Sequence, residues 1–462
     1  MGDDPAKRPA PPSVPAPLPG GGQSGSSSEV DRYARLFADR VRGMRSSAMR
    51  DLMAITARPE IISLAGGLPD TSTFPPETFA SVMTRVAHES VAAALQYGPT
   101  DGFEETKRCA AEVMAAEGMR VDPDDILITT GGQQGLDLVA KTLINPGDVI
   151  LCEAPTYPGA IPTFSAYQAE VIQVDTDDEG MQVDLLVETI ERLAAEGRVP
   201  KLIYSIPTFQ NPAGVTLSEG RRRALVEVAR SHGILVLEDN PYGLLRYEGE
   251  QPTPLYALDG GAHVIYLGTL SKILSPGIRL GWLVAPGAIR EKLALGKQGT
   301  DLCTSTLTQF MVREYFKSER WRDYVDDVIE VYRARRDVML DALSRHFPSG
   351  TRWAHPQGGM FVWATLPEFI DTSDLLARAL RENVAFVPGA AAYVDGRGRS
   401  SMRLNFSGSD ADEIREGVRR IGRVIAEQVR LYETLTGTPR EPEPEPGPGG
   451  EILPLARRRR RS

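Results

Sequence analysis

The strongest constraint on the fold of this chain is the alternation of short apolar segments with amphipathic helical stretches across its middle. The apolar segments lie at 126–130, 149–152, 170–174, 201–206, 234–237 and 264–267. The helical stretches between them lie at about 133–144, 183–195 and 218–231. Strands that are apolar on both faces and are separated by helices are typical of a parallel sheet buried between two helical layers. The pattern therefore predicts an α/β fold.

The C-terminal part of the chain has a different pattern, which predicts a second and smaller α+β domain. A long helical pattern, two short strands and a final helix follow one another at 321–347, 360–363, 402–406 and 410–431. A chain of 462 residues is long enough for two or more domains. We place an N-terminal helical arm, a large domain and the small domain at 29–65, 66–320 and 321–436.

Both ends of the chain differ in composition from the part between them. Of the first 28 residues, 17 are Pro, Gly or Ser, and the last 26 combine a Pro/Glu/Gly segment with the five arginines Arg457–Arg461. Such segments bury too little apolar surface to offset the entropy lost on ordering, so we predict disorder at 1–28 and 437–462. We expect removal of the C-terminal tail, after about residue 437, to leave the activity of the protein intact.

Charge and cysteine content narrow the class of protein. The net charge of −10 argues against binding of nucleic acid or an anionic membrane by the folded body. No apolar run reaches the roughly 18 residues of a membrane span, and the N-terminus lacks the pattern of a signal peptide. The three cysteines are widely spaced and form no CxxC motif. We expect a cytoplasmic protein with no metal site and no membrane or nucleic-acid partner.

Polar groups follow four of the apolar segments, at the points where the predicted strands end. Gly131-Gly132-Gln133 follows 126–130, Asn211 follows 201–206, Asp239 follows 234–237 and Lys272 follows 264–267. In open α/β sheets, ligands bind outside the carboxyl ends of the strands. We therefore expect these groups to share one site.

Each of these groups suits a defined chemistry, and each has an ordinary structural alternative. Glycines before a helix can form a phosphate cradle or a plain turn. A lysine at the end of a buried strand can be a nucleophile of lowered pKa or a surface side chain. The asparagine and the aspartate can be ligand contacts, or parts of a turn and a helix cap. The four together in one sheet favour a functional site.

Five longer motifs extend this set of strand-end groups. They are Ser63-Leu64-Ala65-Gly66-Gly67-Leu68-Pro69, Leu95-Gln96-Tyr97-Gly98-Pro99-Thr100-Asp101-Gly102, Ser205-Ile206-Pro207-Thr208-Phe209-Gln210-Asn211-Pro212-Ala213-Gly214, Glu238-Asp239-Asn240-Pro241-Tyr242 and Gly268-Thr269-Leu270-Ser271-Lys272. With them the chain, from about residue 40 to 430, resembles the fold type I, pyridoxal-phosphate-dependent aminotransferases of class I/II. It looks most like the branch of the 2-aminoadipate (LysN-type) and kynurenine aminotransferases. The resemblance implies a large, mostly parallel seven-stranded sheet domain with a smaller α+β domain.

The resemblance also implies roles around the cofactor ring. Lys272 would hold pyridoxal 5′-phosphate as a Schiff base and then move the substrate proton. Asp239 would pair with the pyridinium nitrogen. Asn211 and Tyr242 would hydrogen-bond the phenolic oxygen of the ring, and Tyr157 would stack on its face.

The cofactor phosphate and the substrate would use further residues that the resemblance identifies. The phosphate would contact Gly132, Gln133, Thr269, Ser271 and Arg279. Relatives often have Ser where this chain has Gly132. Tyr97 would reach the phosphate of the neighbouring subunit, which implies a homodimer with shared sites.

The substrate contacts implied by the resemblance are Arg403, Asn211, Gly67 and Arg50. Arg403 matches the arginine that holds the substrate α-carboxylate. Gly67 would allow close approach of the substrate. Arg50 is either a contact for a distal carboxylate or a solvated helix arginine.

The function implied is transfer of an amino group from an L-amino acid to a 2-oxo acid such as 2-oxoglutarate by a ping-pong mechanism. The donor would be 2-aminoadipate, or an aromatic or branched-chain amino acid. One alternative is a β-lyase or other reaction on the same cofactor, because fold does not fix reaction type. Another is a regulator of the MocR type. The expected 28 disordered residues before the folded body are too few for its winged helix.

Overall fold

The computed structural model describes residues 33–42, 44, 52, 54–56, 58–318 and 320–437. The segment up to Met44 is a unit of its own, with a 3₁₀ turn at Ala34–Leu36 and helix α1 at Asp39–Arg42. The second unit begins at Arg45 and contains all other elements. The tails predicted to be disordered lie outside the described residues, except Gly437, which ends the last helix.

The second unit contains fourteen strands among its described residues. In chain order they are β1 Ile62–Ser63, β2 Ile126–Thr129, β3 Val149–Ala154, β4 Glu170–Asp177, β5 Gly180–Met181, β6 Leu202–Ser205, β7 Leu235–Asp239, β8 Val264–Thr269, β9 Gly281–Val284, β10 Arg352–Trp353, β11 Phe361–Thr365, β12 Val384–Ala385, β13 Val387–Pro388 and β14 Ser401–Asn405.

Helices connect these strands. In chain order they are α2 Pro76–Glu89, α3 Val91–Ala94, α4 Glu104–Ala116, α5 Gly132–Leu143, α6 Ala160–Ala166, α7 Val183–Ala195, α8 Glu219–His232, α9 Leu255–Asp259, α10 Gly287–Asp301, α11 Thr306–Ser318, α12 Trp321–His346, α13 Thr372–Arg381 and α14 Ala411–Thr436.

The large sheet has the strand order β2-β9-β8-β7-β6-β3-β4-β5. The five strands from β8 to β4 are parallel, β9 is antiparallel to both β8 and β2, and β5 is antiparallel to β4. The predicted α/β fold with a large, mostly parallel sheet is confirmed. The two-residue β5 adds an eighth strand at one edge to the seven that the resemblance implies.

Burial on both faces explains why these strands are continuously apolar. Every residue of β2, β3, β6 and β9 is buried. A parallel sheet covered by helices on both faces requires apolar side chains in either direction. Polar residues are therefore concentrated at the strand ends, where Asp239 ends β7 and Thr269 ends β8.

The C-terminal part forms a smaller antiparallel sheet of order β10-β11-β14-β13. The long helices α12 and α14 pack against each other in this part of the chain. Helix α14 begins at Asp410, whose side chain accepts hydrogen bonds from the backbone amides of Asp412 and Glu413 in a capping box. This second sheet confirms the smaller α+β part, while the boundaries at 66 and 321 stay predictions.

No helix among the described residues is both long enough and apolar enough to cross a membrane.

Candidate active site

A glycine turn between β2 and α5 forms one wall of a pocket. Gly131 has φ +78°, and a Cβ on it would lie 2.5 Å from Nη2 of Arg279, so a larger residue does not fit there. A Cβ on Gly132 would meet no atom within 4 Å. Gly132 is the first residue of the twelve-residue α5, whose N-terminal amides and dipole favour an anion. The turn is therefore suited to hold a phosphate.

Side chains from α5 and α10 hold the glycine turn in place. Asp301 Oδ2 accepts hydrogen bonds from Thr130 Oγ1 at 3.0 Å and from Gln134 Nε2 at 2.6 Å. Gln134 Oε1 in turn accepts from the Thr130 amide at 2.7 Å, and the buried Lys297 pairs with Asp301 at 2.6 Å. Gln133 directs its side chain to Thr163 Oγ1 at 2.7 Å. The backbone of the cradle is thus fixed by its flanking residues.

Two hydroxyls and a guanidinium lie beside this turn. Thr269 Oγ1 and Ser271 Oγ are 2.9 Å apart. Arg279 has φ +53° and donates from Nη2 to the carbonyl of Thr130 at 3.2 Å. A permanent positive charge and two hydroxyls around exposed amides match the chemistry of a phosphate dianion.

Lys272 projects into the same pocket. Its Nζ donates a hydrogen bond to the carbonyl of Gly67 at 2.6 Å. Burial, with the positive charges of Arg403 and Arg279, lowers the pKa of Lys272 to about 8. A larger fraction of this amine than of an ordinary lysine, about a tenth at pH 7, is therefore neutral and nucleophilic.

Asp239 lies at the carboxyl end of β7 and is 7% exposed. Its Oδ2 accepts a hydrogen bond from the phenol of Tyr204 at 2.7 Å. Burial raises the pKa of Asp239 to about 7, the Tyr204 hydrogen bond opposes that rise, and Glu153 adds to it. A cation beside this carboxylate would return it to the charged form.

Arg403, Asn211 and Tyr242 form a connected group on the other side of the pocket. Arg403 donates from Nη1 to Asn211 Oδ1 at 2.8 Å and from Nη2 to the carbonyl of Ala65 at 2.7 Å. Asn211 Nδ2 donates to the Tyr242 hydroxyl at 3.3 Å. Burial lowers the pKa of Arg403 to about 10. Because this value is still well above 7, the guanidinium is charged at neutral pH. The guanidinium lies 4.3 Å from the ring centre of Phe361.

These groups surround one cavity of about 360 Å³. The predicted site residues that line it are Gly67, Gly132, Gln133, Tyr157, Asn211, Asp239, Tyr242, Thr269, Ser271, Lys272, Arg279 and Arg403. Twelve of the fourteen predicted side chains are thus together, although they come from widely separated parts of the sequence.

The other two predicted residues are not in this group. Tyr97 is 78% exposed on the surface and does not line the cavity of its own chain. Arg50 lies outside the described residues, so its role stays a prediction.

Sequence reasoning missed several groups of the pocket. Leu68, Pro276 and Phe361 line the cavity, and Tyr204 contacts Asp239 from beneath. Leu68 belongs to the motif that begins at Ser63, and Pro276 lies four residues after Lys272, so their positions next to predicted site residues could have identified them. Tyr204 lies inside an apolar strand, where a tyrosine is ordinary.

Comparisons with known proteins define the class to which this pocket belongs. Residues 59–421 match the family model described as aminotransferase class I and II. The chain is 45% identical over 399 residues to aromatic-amino-acid aminotransferase 1 of Thermococcus litoralis, with 86% of this chain and 96% of that protein covered.

Two solved structures are similar over nearly their whole length. The kynurenine aminotransferase of Pyrococcus horikoshii, in complex with PMP, KYN and KYA, has a TM-score of 0.83 and 41% identity, covering 87% of this chain and 99% of that one. LysN, the alpha-aminoadipate aminotransferase of Thermus thermophilus, has a TM-score of 0.80 and 38% identity, covering 86% and 99%. It is complexed with N-(5′-phosphopyridoxyl)-L-leucine.

The chain therefore belongs to the class I and II aminotransferases. It is an aminotransferase of fold type I, and its cofactor is pyridoxal 5′-phosphate. The residues present fit that group: the cradle at Gly131 and Gly132 leaves room for a phosphate, and Lys272 offers an amine in the same cavity.

Proposed function

We propose that the cavity at the carboxyl ends of β7 and β8 is the active site, and that Lys272, Asp239 and Arg403 carry its chemistry. The observation that supports this most is their convergence on a single cavity of about 360 Å³. An amine, a carboxylate and a guanidinium in one cavity provide a nucleophile, a counter-charge for a cation and a carboxylate receptor.

Each residue has a distinct task in this proposal. The pyridoxal ring, when bound, supplies an electron sink for the bonds at the substrate Cα. Lys272 Nζ holds the cofactor and then moves a proton to and from that Cα, as its lowered pKa permits. Asp239 keeps the ring nitrogen protonated. Arg403 holds the α-carboxylate of the substrate with two guanidinium nitrogens.

The remaining groups orient the cofactor. Asn211 and Tyr242 donate hydrogen bonds to the ring oxygen, and Tyr157 covers the ring face. Gly132, Gln133, Thr269, Ser271 and Arg279 bind the phosphate. With one carboxylate receptor for both substrates, an amino acid and a 2-oxo acid such as 2-oxoglutarate would occupy the same site in turn, by a ping-pong mechanism.

The cavity walls favour an aromatic or apolar amino donor. The cations that line the cavity among the described residues are Lys272, Arg279 and Arg403. In this proposal they bind the cofactor and the α-carboxylate, so none of them is left for a carboxylate on the substrate side chain. Leu68, Pro276 and Phe361 supply apolar surface. An aromatic donor also agrees with the name of the Thermococcus relative. 2-Aminoadipate would need a further cation such as Arg50.

We further propose a cytoplasmic homodimer. Three unpaired cysteines suit a reducing compartment. The exposed apolar side chains around Leu95 and Tyr97 suit a subunit interface.

The test is a half-reaction with cofactor-loaded enzyme and no 2-oxo acid. We expect aromatic amino acids to bleach the absorbance band near roughly 400–430 nm, a property of the cofactor bound through lysine, faster than 2-aminoadipate does. Lys272→Ala should lack both the band and the reaction. Lys141→Ala, which removes an exposed lysine on α5, is the control and should keep both. A band that persists in Lys272→Ala would contradict the assignment.

A further inference from the structure

Tyr204 lies beneath the active site and contacts one of its carboxylates. The side chain is fully buried on β6, and its hydroxyl lies 2.7 Å from Asp239 Oδ2. Among the described residues no other side chain or amide hydrogen-bonds to the Asp239 carboxylate. Asp239 Oδ1 is thus left for a group in the cavity.

Packing fixes the position of Tyr204, and the raised pKa of its phenol makes it the donor of this hydrogen bond. Strand β6 pairs in parallel with β7, so Tyr204 and Asp239 come from adjacent strands, and the ring of Phe164 packs edge-on against Tyr204 at 5.3 Å. Burial and the nearby Asp239 raise the pKa of Tyr204 well above its ordinary value. The phenol therefore stays neutral and acts as a donor, and the carboxylate is the acceptor.

Among the described residues, the other groups close to Asp239 do not favour its charged form. Burial disfavours it, and the buried Glu153 of β3 adds a like charge. Tyr157, the other titratable group close to Tyr204, is a phenol whose pKa is also raised, by burial first and by Asp239 second. The Tyr204 hydroxyl is thus the one group of the described chain that donates to this carboxylate.

We propose that Tyr204 is a positioning residue, which holds Asp239 ionised and directs its free oxygen toward the ring nitrogen of the cofactor. This inference rests on the role of Asp239 given under Proposed function. Without the phenol, the proton shared by Asp239 and the ring nitrogen would lie nearer the carboxylate. The ring would then carry less positive charge and withdraw electrons less strongly.

The experiment compares three variants of the cofactor-loaded protein. Tyr204→Phe removes only the hydroxyl. Tyr266→Phe is the matched control, because Tyr266 is an equally buried phenol in the same sheet whose hydroxyl contacts Glu117 and Asn240 and not Asp239. Asp239→Asn tests the role of Asp239 itself. The measurements are the single-turnover rate with an aromatic amino acid, its dissociation constant, and the pH midpoint of the visible absorbance band.

We expect Tyr204→Phe to lower the single-turnover rate about tenfold, which corresponds to one ordinary hydrogen bond to a charged group. The dissociation constant should change less than about twofold. The pH midpoint should rise, because a less positive ring lets the nitrogen of Lys272 keep its proton to higher pH. Asp239→Asn should change the rate and the midpoint in the same directions and by more.

Two results would separate the possible failures. If Tyr204→Phe matches Tyr266→Phe in rate and midpoint while Asp239→Asn is slow, the inference about Tyr204 is wrong and the role of Asp239 stands. If Asp239→Asn is also unchanged, the proposed role of Asp239 is wrong. Urea unfolding of both phenylalanine variants checks the fold, and a loss of rate and substrate affinity together in Tyr204→Phe would also overturn the proposal.

Discussion

The two adjacent glycines of the phosphate cradle differ in the space that a side chain would have. Gly131 has a left-handed backbone and Arg279 beside it, so any side chain there displaces the guanidinium. Gly132 has open space where a Cβ would stand. A small hydroxyl side chain at 132 would therefore fit without a clash, beside the backbone that we propose binds the phosphate.

We predict that Gly132→Ser increases the affinity for pyridoxal 5′-phosphate about fivefold. The new hydroxyl adds one hydrogen bond to an anion, and a serine at the first turn of a helix costs little. Equilibrium titration of the apoenzyme with the cofactor measures the change. Gly131→Ser is the contrasting variant and should weaken binding. Equal affinities for the two variants would contradict this account of the cradle.

Residues that carry a motif were predictable, and residues that support them were not. Asp239 ends the apolar strand β7 and Lys272 follows the end of β8, and charged residues at these points can be recognised in the sequence. Tyr204 and Phe361 lie within apolar runs, where an aromatic side chain meets the same packing demand whether or not a site is near. The register of β6 against β7 places Tyr204 opposite Leu237, and its hydroxyl reaches Asp239 two residues further along β7.

At the scale of elements, the end of α4 contains a buried carboxyl that no motif accounts for. Glu117 is 4% exposed and accepts a hydrogen bond from Tyr266 of β8. Burial raises the pKa of Glu117 from 4.5 to about 8, and Glu238 adds to the rise. The folded state therefore favours the protonated acid. The stability this group provides is present below pH 4.5 and is lost as the pH rises toward 8.

We predict that Glu117→Gln removes this loss. For the unaltered protein, the free energy of unfolding should fall by roughly 2 kcal/mol between pH 6 and 8 on account of this group. The glutamine amide is neutral at both pH values and offers a donor to Asn240 Oδ1, which is buried without a hydrogen-bond partner among the described residues. Urea unfolding at the two pH values measures the difference. Glu112→Gln, an exposed change on α4, should behave like the unaltered protein, and an equal pH slope in Glu117→Gln would contradict the prediction.

The strands that alternate with helices could be predicted from the sequence pattern, but β9 could not. Its four residues, Gly281–Val284, follow β8 after eleven intervening residues and run antiparallel between β8 and β2. Only a 3₁₀ turn at Pro276–Ile278 separates β9 from β8, so the alternation of strands with helices does not identify β9. Its structure depends on pairing with its neighbours in the sheet. The same holds for the two-residue β5.

At the scale of the whole molecule, some large apolar side chains of the described residues are exposed on the surface. Leu95 is 71% exposed, Tyr97 78% and Leu295 59%. Isolated exposed apolar residues are normal, but Leu95 and Tyr97 belong to one short segment, which Thr306 Oγ1 holds by hydrogen bonds to the carbonyls of Ala94 and Gln96. Composition alone could not have indicated this, because it counts apolar residues without locating them.

An ordered, exposed tyrosine that does not reach its own cavity fits the proposed homodimer with shared sites, and mixed subunits test this. We predict that Tyr97→Ala and Lys272→Ala each have low activity alone, and that refolding them together in equal amounts restores about a quarter of the unaltered activity. Random pairing makes half of the dimers mixed, and each mixed dimer has one site with both Lys272 and the tyrosine of its partner. If Tyr97 served its own chain, no mixed dimer would contain a complete site and the mixture would stay inactive.

Tyr432→Ala, which alters an exposed tyrosine on α14, is the control and should be active alone. Restoration therefore depends on the tyrosine crossing the interface, and turnover of the mixture measures it directly.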